Sequence, residues 1–104
     1  MRALVKVGAE GCVSMLITYD EAKRRKTLEE RGLDFRDAPR IFAGPHFDLV
    51  DDRQDYGEIR YLTFGTLDDR NVSLVWTPRG DARHIVSMRH AHDSEIKKRR
   101  RTLD

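Results

Sequence analysis

The chain has 104 residues, with 38% hydrophobic and 37% charged residues and a formal net charge of +2. That is the length of one domain with one modest core and a large charged surface. No apolar run approaches the roughly 18 residues of a membrane helix, and a single cysteine, Cys12, excludes an internal disulfide and a cysteine-based zinc site.

Residues 1–14 are a mildly apolar run broken by Arg2, Lys6 and Glu10, which makes a poor signal peptide. Met15 to Tyr19 is β-prone and predicts a strand. Thr18 with Glu21 has capping-box spacing, and Asp20 is the competing cap. A helix from Asp20 to Arg31 should follow, closed by Gly32, with Ala22 and Leu28 as sparse apolar contacts. A second helix begins at Asp34 and gathers Phe35, Ala38, Ile41 and Phe42 on one face. Pro39 limits it, and Gly44-Pro45 ends it.

Beyond this point the pattern is β. His46 to Val50 and Glu58 to Thr66 predict strands around a polar loop over 51–57. Asp68 to Asn71 is a turn, and Val72 to Thr77 is a strand with Val72, Leu74 and Trp76 on one face. Pro78 to Asp81 is a second turn, and Arg83 to Arg89 a last strand. Asp93 or Ser94 then caps a helix to about Arg101. The expected fold is α+β: an antiparallel sheet of about four strands, with two N-terminal helices and one C-terminal helix packed on one side.

Charge is uneven. Residues 79–101 hold eight Lys/Arg and three acids, whereas 1–78 are net acidic. The basic end suits a polyanion, and equally suits the C-terminal turn of a helix.

Several short segments, in order, resemble the BrnT family of toxins. They are Tyr19-Asp20-Glu21-Ala22-Lys23, Gly32-Leu33-Asp34-Phe35 with Ala38, Glu58-Ile59-Arg60, Gly65, Thr77-Pro78-Arg79, and Ile85 to Arg89 with Ala91 and Glu95. The likeness runs from about Met15 to Arg100. Residues 1–14 lie outside it and are expected to be an extension, with 15–104 as the toxin domain. The chain departs from the family pattern at Tyr19, Thr27, Glu30, Arg31 and His84, where the family usually has Trp or Phe, Asn, Lys, His and Arg.

The resemblance implies a RelE-like fold and a cytoplasmic toxin of a type II toxin–antitoxin system. It implies an endoribonuclease that cuts mRNA without metal or other cofactor and so inhibits translation. The implied partner is a ribbon-helix-helix antitoxin like BrnA, in a complex that can hold a toxin homodimer. Metal-free cleavage needs a base for the ribose 2′-OH, cations for the phosphorane, and an acid for the leaving 5′-oxygen. Glu58 is the candidate base. Arg60, Arg79 and Arg89 are candidate phosphate clamps because a guanidinium grips phosphate bidentately, and Lys23 is a further cation. His84 or His90 is the candidate acid. Arg83, Ser87, His90, Lys97 and Arg100 are candidate RNA contacts. On spacing alone Glu58 and Arg60 share a strand face and read equally as a surface ion pair worth about 0–1 kcal/mol. Two other readings stay open: a non-catalytic nucleic-acid-binding module using the basic C-terminal helix, and a degenerate toxin that only assembles with its partner.

Overall fold

The computed structural model describes residues 2–7, 13–53 and 55–101, with side chains described from Met15 onward. Cys12 lies outside the described residues, as does part of the expected extension. The elements are β1 (Arg2–Val7), β2 (Val13–Tyr19), α1 (Glu21–Arg31), a 3₁₀ turn (Phe35–Asp37), α2 (Ala38–Ala43), β3 (Phe47–Val50), β4 (Tyr61–Leu67), β5 (Arg70–Arg79), β6 (Ala82–His90) and α3 (Asp93–Arg101).

Local chemistry sets most boundaries. Asp20 caps α1 by accepting from the Ala22 and Lys23 N–H groups, and Gly32 closes it at φ 69°. Thr18, the other expected cap, instead turns its hydroxyl to His84. Arg24 on α1 pairs with Glu21 and with Asp34, tying α1 to the start of the 3₁₀ turn. The second predicted helix is split. Asp34 caps the 3₁₀ turn through the Arg36 N–H, and Pro39 sits in the first turn of α2, where its missing donor costs nothing. Asp68 and Asp69 both have positive φ (51° and 64°) and form the two-residue loop of the β4–β5 hairpin.

The sheet is larger than expected, and it is mixed. Its six strands run β1-β2-β6-β5-β4-β3, and β2 lies parallel to β6 with Ile17 opposite Arg83 and Tyr19 opposite Ile85. The whole segment α1 to β5 is the crossover between those two strands, whereas the expectation of a purely antiparallel sheet considered only hairpin neighbours. β1 pairs antiparallel with β2 at the edge.

The helices also divide between the two faces. Ile17, Tyr19, Val72, Leu74, Trp76, Ile85 and Met88 form one core with Leu33, Phe35, Ala38, Ile41 and Phe42. Leu62, Phe64 and Val75 point the other way and pack with Phe47, Leu49, Val86, Ala91 and Ile96 of α3. So α3 covers the face opposite α1 and α2, because β4 and β5 are apolar on both sides. Gly65 lets α2 approach: a Cβ there would lie 2.7 Å from Ile41 Cγ2 and 3.3 Å from His46 Cβ. On the same face Trp76 Nε1 donates to Thr63 Oγ1 (2.8 Å), which donates to Asp48 Oδ1 (2.5 Å), so the buried indole N–H is satisfied.

Candidate functional site

Four of the predicted residues, Glu58, Arg60, Arg79 and His84, gather beside the tip of the β5–β6 hairpin, and Lys23 of α1 lies close enough to act on His84. The segment carrying Glu58 and Arg60 is not strand, as alternation suggested. Gly57 at φ 71° breaks the chain direction, and β4 begins only at Tyr61. The segment is fixed from both sides. Thr77 Oγ1 donates to the Ile59 carbonyl (2.5 Å), and the Asp51 N–H donates to the Arg60 carbonyl (2.8 Å). Thr77 stands opposite His84 in the β5–β6 register, so the same residue that pins Ile59 brings the neighbouring Glu58 close enough to act on His84.

Glu58 is the hub. Arg60 Nε donates to Glu58 Oε2 (3.2 Å), and Arg79 Nη2 lies 3.6 Å from Glu58 Oε1. Arg79 belongs to the end of β5 opposite Ala82, not to the turn expected there; the turn is Gly80-Asp81. The Arg60 guanidinium lies over the Tyr56 ring at 4.1 Å, and Tyr56 Oη donates to Asp51 Oδ2 (3.3 Å). Asp51 is buried and gripped by Arg53 at 2.7 and 2.8 Å, which holds its carboxyl below the usual range. Tyr56 and Asp51 thus form a shelf under Arg60 that sequence reasoning missed. An aromatic under a guanidinium has no spacing signature.

His84 sits between β2 and β5. Its Nδ1 is 2.6 Å from Thr18 Oγ1. Burial is the main influence on the ring and Arg79 the next, and both push its pKa below the usual histidine value; Glu58 opposes them, and Lys23 adds to the depression. Arg79, Glu58 and Lys23 therefore all act on the His84 ring. A threonine hydroxyl can donate to neutral Nδ1 or accept from protonated Nδ1, so His84 keeps this partner in either state.

The lowered pKa makes a testable claim about stability. The unfolded chain takes up the proton at its ordinary value near 6.5, before the folded chain does, so stability rises with pH through this window. The His84 contribution is present above about pH 6.5 and is lost as the pH falls through the folded value. Urea unfolding of the wild type should therefore weaken between about pH 7.5 and 5 more than that of His84→Gln. Parallel losses in the two proteins would contradict it.

The other predicted residues lie elsewhere. Arg89 is five residues along β6 from His84, roughly 15 Å away, and makes a two-pronged ion pair with Glu95 of α3 at 2.9 and 2.7 Å. That pair holds Glu95's carboxyl below its usual range and ties α3 to the sheet. Arg83 points to the opposite face, over Phe42 (4.3 Å) and Trp76 (4.6 Å). His90 Nε2 is 3.2 Å from the Arg31 carbonyl, and Arg100 lies over Phe47 at 5.0 Å. Lys97 is on α3. Ser87 lies with Lys23 in a cleft between α1 and β6. Among the described residues no three His, Cys, Asp or Glu side chains form a group that could hold a metal ion, and no helix is long and apolar enough to cross a membrane.

The family model described as the ribonuclease toxin BrnT of type II toxin–antitoxin systems matches residues 19–95. The chain belongs to that family. Its α+β fold and its class, a ribonuclease toxin of a toxin–antitoxin system, follow from this membership. A search of curated proteins found no match. The matched span opens at Tyr19, just before α1, and closes at Glu95, the partner of Arg89, so it contains the whole Glu58–Arg79–His84 cluster.

Proposed function

We propose that this chain is the toxin of its pair, a cytoplasmic endoribonuclease that cuts mRNA without metal and lowers translation until an antitoxin covers it. The observation that carries the reading is the Glu58 carboxylate holding two guanidiniums, Arg60 and Arg79, beside a histidine whose neutral form is favoured. A phosphate that docks on the outer faces of the two guanidiniums meets cations that Glu58 already holds in place, so the clamp is preorganised.

In this reading the ribose 2′-OH attacks the adjacent phosphorus and the P–O5′ bond breaks. A 2′,3′-cyclic phosphate and a 5′-hydroxyl result. Arg60, Arg79 and Lys23 offset the phosphorane charge. His84 is better placed than Glu58 to take the 2′-OH proton, since both Glu58 oxygens are engaged by arginines and the imidazole favours its neutral state at neutral pH. Glu58 then keeps the two clamps in register. His84, once protonated, can return that proton to the leaving oxygen.

The partner is a ribbon-helix-helix antitoxin with an acidic or amphipathic segment, which would bury the same cations that hold RNA. Residues 15–104 are the toxin domain in this reading, with 1–14 as an extension. Expression of the chain alone in bacteria should arrest growth and truncate transcripts, and co-expression of the cognate antitoxin should relieve both. Normal growth with intact transcripts at verified high levels of folded protein would contradict the reading. Transcripts bound but uncut would favour a non-catalytic nucleic-acid module.

A further inference from the structure

A second feature borders the cluster without being used by it. Between α1 and β6 lies an open cleft of about 290 Å³, at the small end of the roughly 300–1,000 Å³ range of ligand sites. Lys23, Lys26, Thr27 and Arg31 form its helical wall, Ser87 its strand wall, and Phe35 part of its floor. Three of these are cationic. Their one acidic neighbour in the cleft, Glu30, is 3.9 Å from Lys26, and both side chains of that pair are more than half exposed, so the pairing is weak. Arg31 Nη1 donates to the Met88 carbonyl at 2.8 Å, which fixes the guanidinium against β6 without neutralising its charge. Thr27 and Ser87 supply hydroxyls across the opening, and Val86 and Phe35 supply apolar surface.

The strand wall of the cleft is irregular. The register slips between Val75 and Trp76, so Val75 faces Ser87 while Trp76 faces Ile85, and Val86 is the extra residue. A bulge re-aims side chains, and here the extra residue Val86 and its neighbour Ser87 both line the cleft. Lys23 lies at one end of the cleft and within the field of His84. The cleft and the clamp thus share one cation.

We propose that this cleft is a subsite for one nucleotide flanking the scissile phosphate of a single-stranded RNA. Lys26 and Arg31 hold its phosphate, and Thr27 and Ser87 hydrogen-bond its ribose hydroxyl or base edge. The subsite rests on the ribonuclease reading above. It adds that the enzyme grips a strand longer than the dinucleotide that contains the cut, with Lys26 and Thr27 as binding rather than catalytic residues.

The test is binding, followed by fluorescence anisotropy, of an octanucleotide whose 2′-O-methyl riboses block cleavage, and of the matching dinucleotide. Lys26→Ala removes the charge, and Thr27→Phe fills the space. Each should weaken octanucleotide binding about tenfold, the loss expected for one charge-assisted contact or its steric equivalent. Dinucleotide binding should stay unchanged. Lys26→Ala should also lower the slope of log K against log salt by about 0.7, the value for one phosphate on a single strand, whereas Thr27→Phe should leave the slope alone. Wild-type affinity and slope for the octanucleotide in both variants would overturn the subsite, as would failure of the wild-type protein to bind it. Cleavage of unmodified RNA by the wild type is read separately. Its absence would remove the ribonuclease reading while the binding data still decide the cleft.

Discussion

Arg60→Ala should lower RNA cleavage by about 10²–10³-fold, the range for removing one preorganised electrostatic donor, with little change in folding. The Arg60 head rests on Tyr56 and Glu58 at the surface of the loop before β4. A partly exposed cation–π contact and ion pair are each worth about 1 kcal/mol, so the melting temperature should move only modestly. Arg60→Lys should remain impaired, because lysine keeps the charge and loses the planar fork. Arg79→Ala should behave like Arg60→Ala. Arg89→Ala should not: its guanidinium is spent on Glu95, so its loss loosens α3 and leaves the clamp in place. Full activity in both Arg60→Ala and Arg79→Ala, with folded protein, would show that the clamp is misassigned.

Phe35→Ala should be the most damaging core substitution near the site. Phe35 is 1% exposed, packs edge-on to Tyr19 with ring centres 6.5 Å apart, and forms part of the floor of the α1–β6 cleft. Emptying such a position costs about 3–5 kcal/mol through lost burial and a residual cavity. Small domains have only about 5–15 kcal/mol in total. Each kcal/mol lowers Tm by about 4–8 °C at this chain length, so thermal unfolding followed by circular dichroism should show the change plainly. Phe35→Leu should cost far less, since it keeps most of the volume. A Phe35→Ala protein melting within a few degrees of wild type would mean that α1 and the 3₁₀ turn do not hold the sheet as described.

The parts legible in the sequence were those fixed by neighbours a few residues apart. Asp20 and Gly32 bracket α1, and the Val72-Leu74-Trp76 stripe faces the main core. Asp68-Asp69 makes the hairpin loop because both residues tolerate positive φ. The illegible parts depended on long-range pairing. Nothing local says that β2 lies parallel to β6, and that pairing is what puts Thr18 against His84. Nor does alternation reveal that Val75 packs against α3 on a second face.

For the site, residue types were easier to read than their company. Lys23, Glu58, Arg60, Arg79 and His84 do gather, but Glu58 and Arg60 reach the cluster from a loop pinned by Thr77 rather than from a strand. Arg89 and Arg60 read alike in the sequence, both as candidate phosphate clamps. Only the turn at Ala91 and His92, which brings Glu95 back over β6, separates a clamp from a tether.

The central claim is metal-independent RNA cleavage by the Glu58–Arg60–Arg79–His84 cluster. Its most direct test is incubation of the purified chain with RNA in excess chelator, followed by identification of the product ends. The account predicts fragments ending in 2′,3′-cyclic phosphate and beginning with 5′-hydroxyl, made by the wild type and strongly reduced in Arg60→Ala and His84→Ala. Uncut RNA under chelation, or fragments with 5′-phosphate ends, would contradict it.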